Sequence, residues 1–262
     1  MGNSPSQEEL DSVGYRVLGV QPNSPASNCG LVSFFDFIVA ANGVPLRTMD
    51  TTFIDLIKAS EDVMLPLTVY NWKSQSTREV SLTPSRNWAG EGMLGITIRF
   101  DTYHNAEDYV CHVLEVEPNS PADLAGLQEG TDYILGTTEK FFRDVDALFD
   151  ELQEHLNKPL EFYVYSSETD EVRNVVIMPS NEWGGEGILG ANVACGFLHR
   201  IPKDNRDSTG RAVNGYYATS ASSPFGQNSV AVPPTQPDVN NSPKKDPVEP
   251  VNETVDLEGG AA

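Results

Sequence analysis

Two stretches of this chain repeat each other about 95 residues apart, which restricts the fold to two tandem copies of one module. The first copy reads GYRVLGVQPNSPASNCGL, then DFIVAANG, then WAGEGMLGITI. The second reads DYVCHVLEVEPNSPADLAGL, then DYILGTTE, then WGGEGILGANV. Asn23-Ser24-Pro25, Gly30-Leu31 and Asp36 recur at an offset of 96 as Asn119-Ser120-Pro121, Gly126-Leu127 and Asp132. Trp88, Gly90, Gly92, Leu94 and Gly95 recur at 95 as Trp183, Gly185, Gly187, Leu189 and Gly190. A period this constant confines insertions to loops.

Each copy is long enough to bury its own core, so the 262 residues divide into two domains plus flanking segments. The boundaries follow composition: residues 1–12 as an N-terminal segment, 13–105 and 106–202 as the modules, and 203–262 as a tail rich in Ser, Pro and Asn. The tail lacks periodic apolar residues and cannot offset the entropy of ordering, so disorder is expected there. It holds 5 basic and 8 acidic side chains, which leaves most of the net charge of −21 on the folded part. A body this acidic repels phosphate backbones, and no nucleic-acid partner is expected. Nor does the sequence contain a polybasic run for anionic lipids.

Within copy one, Tyr15 to Val20 reads as a strand ending at the turn-forming QPNSP, and Ala26 to Gly30 as a short helix. Phe37 to Ala41 is a strand halted by Asn42-Gly43. Asp50 is placed to cap a helix through Ala59 with Phe53, Leu56 and Ile57 on one face. Strands at Leu67 to Tyr70, Glu79 to Leu82 and Ile96 to Phe100 follow. Copy two keeps this order, with Val145, Leu148, Phe149, Leu152 and Leu156 at helical spacing.

Cys29, Cys111 and Cys195 are odd in number and fit neither a disulfide framework nor a metal knuckle, which points to a reducing compartment. Cys111 and His112 are adjacent on an expected strand and so point to opposite faces, which spoils a nucleophile and base pair. No hydrolase, metalloprotease or phosphate-loop motif occurs. An enzyme is therefore not expected, and neither is a cofactor or a metal. No secretory signal or 18-residue apolar run is present. Met1-Gly2-Asn3-Ser4-Pro5-Ser6 matches the pattern for N-myristoylation at Gly2. One such chain binds membranes marginally, so a second contact is required.

The succession of strand, NSPA, GL, a D-x-I strand and NG resembles the core of a PDZ domain. PDZ domains add a peptide as an extra strand beside a sheet edge, with loop amides holding its terminal carboxylate. The matching loops, Met93-Leu94-Gly95-Ile96 and Ile188-Leu189-Gly190-Ala191, come last in each copy, so the order is circularly permuted. The expected fold class is α+β and β-rich: two tandem circularly permuted PDZ-like domains, each a partly open β-barrel with two helices, followed by a disordered tail. With FFDFIVAANG at 34–43, the W-(A/G)-G-E-G-(M/I)-L-G motif at 88–95 and 183–190, and GFLHRIP at 196–202, the chain resembles the Golgi reassembly and stacking protein (GRASP) family from Gly2 to about Pro202.

That resemblance implies a lipid-anchored scaffold on the cytoplasmic face of Golgi membranes that tethers cisternae by self-association in trans. It also implies that PDZ grooves bind C-termini of golgin-type coiled-coil proteins and cargo tails. Carried onto this sequence, groove 1 comprises Leu94, Gly95, Ile96, Thr97 and Ile98 with Phe53 and Ile57. Groove 2 comprises Leu189, Gly190 and Ala191 with Leu148 and Leu152. The inserting segment is Cys195-Gly196-Phe197-Leu198, whose apolar pair alternatively packs on its own domain. A Gly95→Asp substitution is expected to block groove 1. Ser223 and Ser242, each before proline, are candidate phosphorylation sites, although Ser-Pro pairs also arise from disorder-promoting composition alone. The alternative function is an adaptor for cargo or golgin tails, including in unconventional secretion, without homotypic tethering.

Overall fold

The computed structural model describes residues 12–216. The expected acylation site Gly2 and the candidate phosphorylation sites Ser223 and Ser242 lie outside them. In copy one, apolar residues alternate with polar ones and build strands β1 (Val13–Val20), β2 (Asp36–Ala41), β3 (Val44–Pro45), β4 (Leu65–Asn71), β5 (Ser76–Leu82) and β6 (Ile96–Thr102). Strand β4 shows the cause plainly, since Leu65, Leu67 and Val69 are buried and the residues between them are half-exposed. The strands pair in the order β5-β4-β2-β1-β6, with β3 hairpinned onto β2 through Asn42 and Gly43, both at positive φ. Helix α1 (Thr52–Ala59) closes this module, with Phe53 sunk into a core of Val17, Ile38, Leu67 and Leu94.

Copy two repeats the plan with β7 (Cys111–Val116), β8 (Asp132–Gly136), β9 (Leu160–Ser166), β10 (Glu171–Ile177) and β11 (Ala191–Ala194), joined by helices α2 (Pro121–Leu124) and α3 (Val145–Glu154). Its core gathers Val113, Ile134, Phe142, Leu148, Leu152 and Phe162. Both sheets are open, with β6 and β11 at equivalent edges. The repeated aspartate has the same job in each copy. Asp36 accepts from the Val32 amide at 2.7 Å and grips Arg78, while Asp132 accepts from the Gln128 amide at 2.8 Å and grips Arg173.

The short helix expected at Ala26 to Gly30 is a run of turns, whereas its counterpart α2 is helical. The reason is local. In copy two the Asp123 amide donates to Ser120 Oγ at 3.1 Å, and the Asp123 carboxylate accepts from the Asn119 amide at 2.7 Å, a reciprocal cap. Copy one has Ser27 where copy two has Asp123, and the Ser27 hydroxyl turns back to the Ser24 carbonyl at 2.6 Å. Helix α1 likewise begins at Thr52, with the exposed Asp50 carboxylate accepting from the Thr52 amide at 2.8 Å.

A third apolar cluster joins the copies. The outer face of β1 and β2 gives Leu18 and Phe37, with Phe34, Phe35 and Trp72 beside them; β8 and β9 give Tyr133, Leu135, Tyr163 and Tyr165. Phe35 stands edge-on to both Trp72 and Tyr165 with ring centroids 5.1 Å apart. Trp72 Nε1 donates to the Phe34 carbonyl at 2.7 Å. Fully buried Lys73 crosses the seam to Asp170 at 2.8 Å and to the Ser208 carbonyl at 2.9 Å. Arg16 lies between Phe37 and Phe141 beside Asp101, and burial lowers its pKa to about 10.

The expected boundary at residue 203 needs correction. Residues 203–205 form a turn of 3-10 helix, and β12 (Arg211–Tyr216) adds in parallel to β10. What orders this stretch is backbone pairing and polar contact, such as Asn205 Nδ2 to the Ser167 carbonyl at 2.5 Å, and these leave no apolar period in the sequence. No helix among the described residues is long and apolar enough to cross a membrane.

Candidate functional site

In both modules the tryptophan and glycine motif shapes the loop that leads into the edge strand. Trp88 Nε1 donates to the Gly92 carbonyl and Trp183 Nε1 to the Gly187 carbonyl, each at 2.9 Å, folding the loop over its own ring. Gly95 and Gly190 both sit at φ +67°, a region that glycine enters without strain. Their carbonyls are taken: Gly95 accepts from the Gln21 amide at 2.8 Å and Gly190 from the Glu117 amide at 2.9 Å. The Leu94 and Leu189 carbonyls accept from Ala26 and Ala122. The amides of Leu94, Gly95, Leu189 and Gly190 have no acceptor among the described residues. Successive unclaimed amides at a turn form a concavity that suits an anion such as a carboxylate.

In copy two this loop opens onto a cavity of about 360 Å³ between β11 and α3. That volume falls in the usual range for a ligand pocket. Leu148, Leu152, Leu189, Gly190 and Ala191, the expected members of groove 2, all line it. Val145 and Phe149, the latter 47% exposed, add an apolar wall that the helical spacing had already placed on this face. Glu117 and Glu186 also line it.

Groove 1 is brought together only in part. Leu94 is buried, and Ile96, Ile98, Leu56 and Ile57 pack half-buried over the core between β6 and α1. Phe53 is fully buried and is a core residue, not a groove wall. Thr97 points to the other face of β6, because neighbours on a strand alternate, and it lines a separate cavity of about 580 Å³ with Ser33, Thr138 and Tyr163. The exposed large apolar residue on α1 is Ile54, 51% exposed, at the position equivalent to Phe149. A helical face anchored on Phe53 leaves Ile54 outside the expected groove.

The Cys195-Gly196-Phe197-Leu198 segment leaves β11 at the end of the second sheet. Phe197 and Leu198 are 73% and 87% exposed on a turn of 3-10 helix, so they do not pack into their own module. Arg200, held by Glu107 at 2.5 Å and Asp108 at 2.6 Å, stacks on the Phe197 ring at 4.7 Å and fixes how it is presented. The hydrogen bond to Asp108 raises the Arg200 pKa further. The cysteines hold the main surprise. Cys111 and Cys195, 84 residues apart in sequence, bring their sulfurs to 2.6 Å. Cys29 lies elsewhere, its thiol pushed up by burial. As strand alternation requires, His112 faces away from Cys111 and stacks on Tyr133 at 4.3 Å. No cluster able to hold a metal ion occurs among the described residues.

The model of the GRASP55/65 PDZ-like domain matches twice, over residues 4–98 and 67–204. Golgi reassembly-stacking protein 1 of Mus musculus is 42% identical over 197 residues, 75% of this chain and 44% of that protein. The Homo sapiens protein of the same name is 41% identical over 77% of this chain and 46% of its own length. An uncharacterised protein of Schizosaccharomyces pombe is 36% identical over 75% of this chain and 55% of its own. The chain thus spans about half the length of these relatives.

Proposed function

The chain belongs to the GRASP55/65 PDZ-like family, and on that premise we propose that it is a peripheral, non-enzymatic scaffold of Golgi membranes that tethers them by self-association in trans. One observation carries the reading. The packed modules present an exposed apolar segment, Phe197-Leu198, and edge strands whose loop amides have no acceptor among the described residues. A donor segment and an acceptor edge at different places on one chain make a head-to-tail contact, which can extend across two membranes. Individually weak contacts then add through effective concentration. Gly2 supplies the acyl anchor, and the tethering contact supplies the second membrane attachment that one acyl chain lacks.

In this reading groove 1 receives Phe197-Leu198 of a neighbour. Groove 2, the formed cavity, takes the C-terminus of a golgin-type coiled coil or a cargo tail. Phosphorylation at Ser223 and Ser242 would add about −1.5 to −2 charge each beside an acidic body and loosen the assembly. The unclaimed amides equally support the adaptor reading, in which grooves hold partner tails without self-assembly.

Beads carrying the acylated full chain test the two. Clustering without a partner is expected, and Phe197→Ser with Leu198→Ser should abolish it. Ile54→Glu should do the same, and Phe149→Glu should spare clustering while removing tail binding. Clustering that survives loss of Phe197 and Leu198 refutes the tether. Clustering that needs an added tail establishes the adaptor.

A further inference from the structure

We propose that Cys111 and Cys195 form a redox site: an intramolecular disulfide, made by exchange with a small-molecule disulfide such as oxidised glutathione, that clamps the edge strand β11 and the root of the Phe197-Leu198 segment to β7. The pairing register carries this. His112 lies opposite Ala194, so Cys111 and Cys195 are the next cross-strand pair, and direct antiparallel neighbours have the Cα separation that a disulfide bridges. The sulfurs, 2.6 Å apart, stand within about 0.6 Å of bonding distance. Both cysteines are free thiols, Cys111 in the core and Cys195 half-exposed.

The repeat sharpens the point. The residues equivalent to this pair in copy one are Tyr15 and Phe100, paired across β1 and β6, whose rings pack edge to face at 5.3 Å. Copy one therefore holds its edge strand by aromatic packing. Copy two places two thiols where that pair stands, a substitution that sacrifices apolar area and gains a reversible covalent link. Helix α3 adds the carboxylate of Asp144, which disfavours both thiolates, while Gly196 ties the following segment to the Asp108 carbonyl at 3.2 Å.

The chemistry assigns distinct roles to the two sulfurs. The bond to its partner, and then burial, push the Cys111 thiol up, and the same hydrogen bond holds the more accessible Cys195 thiol down. Cys195 as thiolate attacks one sulfur of glutathione disulfide, forming a mixed disulfide and releasing one glutathione thiolate. Cys111 then loses its proton and attacks the Cys195 sulfur, expelling the second glutathione. The two protein thiols lose two electrons and two protons, and one glutathione disulfide becomes two glutathione thiols.

The effect on clustering rests on the proposed self-association; the disulfide itself does not. The full chain is equilibrated in reduced and oxidised glutathione, alkylated and digested. The expected product is a peptide pair joined through Cys111 and Cys195 with Cys29 alkylated, reversed by reductant and absent in Cys111→Ser and Cys111→Ala. Amide exchange over residues 191–198 should slow by about tenfold on oxidation. Bead clustering should fall, because Phe197-Leu198 must give up its 3-10 turn to pair as a strand with a neighbour and the clamp stiffens its root. Absence of the linked peptide, a link through Cys29 instead, or unchanged exchange in linked protein overturns the clamp. A clamp that forms and slows exchange in protein that never clusters, reduced or oxidised, refutes the tether and leaves the redox site standing.

Discussion

Gly95→Ala should destabilise the chain far more than an ordinary loop substitution, and Ser24→Gly should rescue much of the loss. Gly95 sits at φ +67°, where a side chain costs about 1–2 kcal/mol. An added Cβ would lie 2.2 Å from Ser24 Cβ and 2.8 Å from the Trp88 ring, so overpacking adds about 1–3 kcal/mol. The expected total is about 2–5 kcal/mol. Ser24 Oγ is buried without a hydrogen-bond partner, so Ser24→Gly forfeits no bond and costs about 0.5–1 kcal/mol for backbone entropy. The double variant should retain the φ penalty and escape most of the clash, giving a coupling of about 1–3 kcal/mol. Urea unfolding followed by far-ultraviolet circular dichroism measures each corner of the cycle without relying on Trp88, which touches the site. Additivity within about 0.5 kcal/mol would refute the packing argument. The same geometry corrects the expected use of Gly95→Asp: its aspartate collides before any carboxylate arrives, so lost binding would report a deformed loop. Groove 1 is better tested from Ile54 on α1.

Three other outcomes follow from the packing. Asp170→Asn leaves the Lys73 ammonium buried without its carboxylate and should cost about 3–5 kcal/mol, while Lys73→Met should cost less, because Asp170 is partly exposed; thermal unfolding compares them. Burial opposes ionisation of Asp170, but hydrogen bonds from Lys73, Ser208 and Tyr165 outweigh it and lower its pKa below 3.8. That stabilisation is fully present above pH 3.8 and is lost as pH falls through the lowered value, so an acid titration of unfolding should be steeper in the natural chain than in Lys73→Met. Ser120→Ala should cost about 1 kcal/mol by removing the α2 cap, whereas Ser24→Ala should be near neutral; equal losses in denaturant midpoint would contradict the assignment of the cap to copy two alone.

Local physics was legible in the residues. The 96-residue offset fixes two modules of one design, Asn42-Gly43 specifies a hairpin, and the tryptophan and glycine motifs specify the two loops that lead into the edge strands, because each depends on neighbours a few positions away. The lining of the copy-two cavity was legible too, since Leu148 and Leu152 share a helical face that α3 turns toward it. The tertiary structure decided what depends on distant partners. Alternation along β6 turns Thr97 away from Ile96 and Ile98, but that its face borders a cavity shared with Thr138 and Tyr163 of copy two depends on residues far away in sequence. Residues 203–216 are ordered by pairing with β10 and by Lys73, contacts that write no apolar period. Three cysteines without a recognisable spacing become one pair and one single residue only when antiparallel pairing lays β11 against β7. Spacing along a chain records the period of an element; it does not record which element will lie beside it.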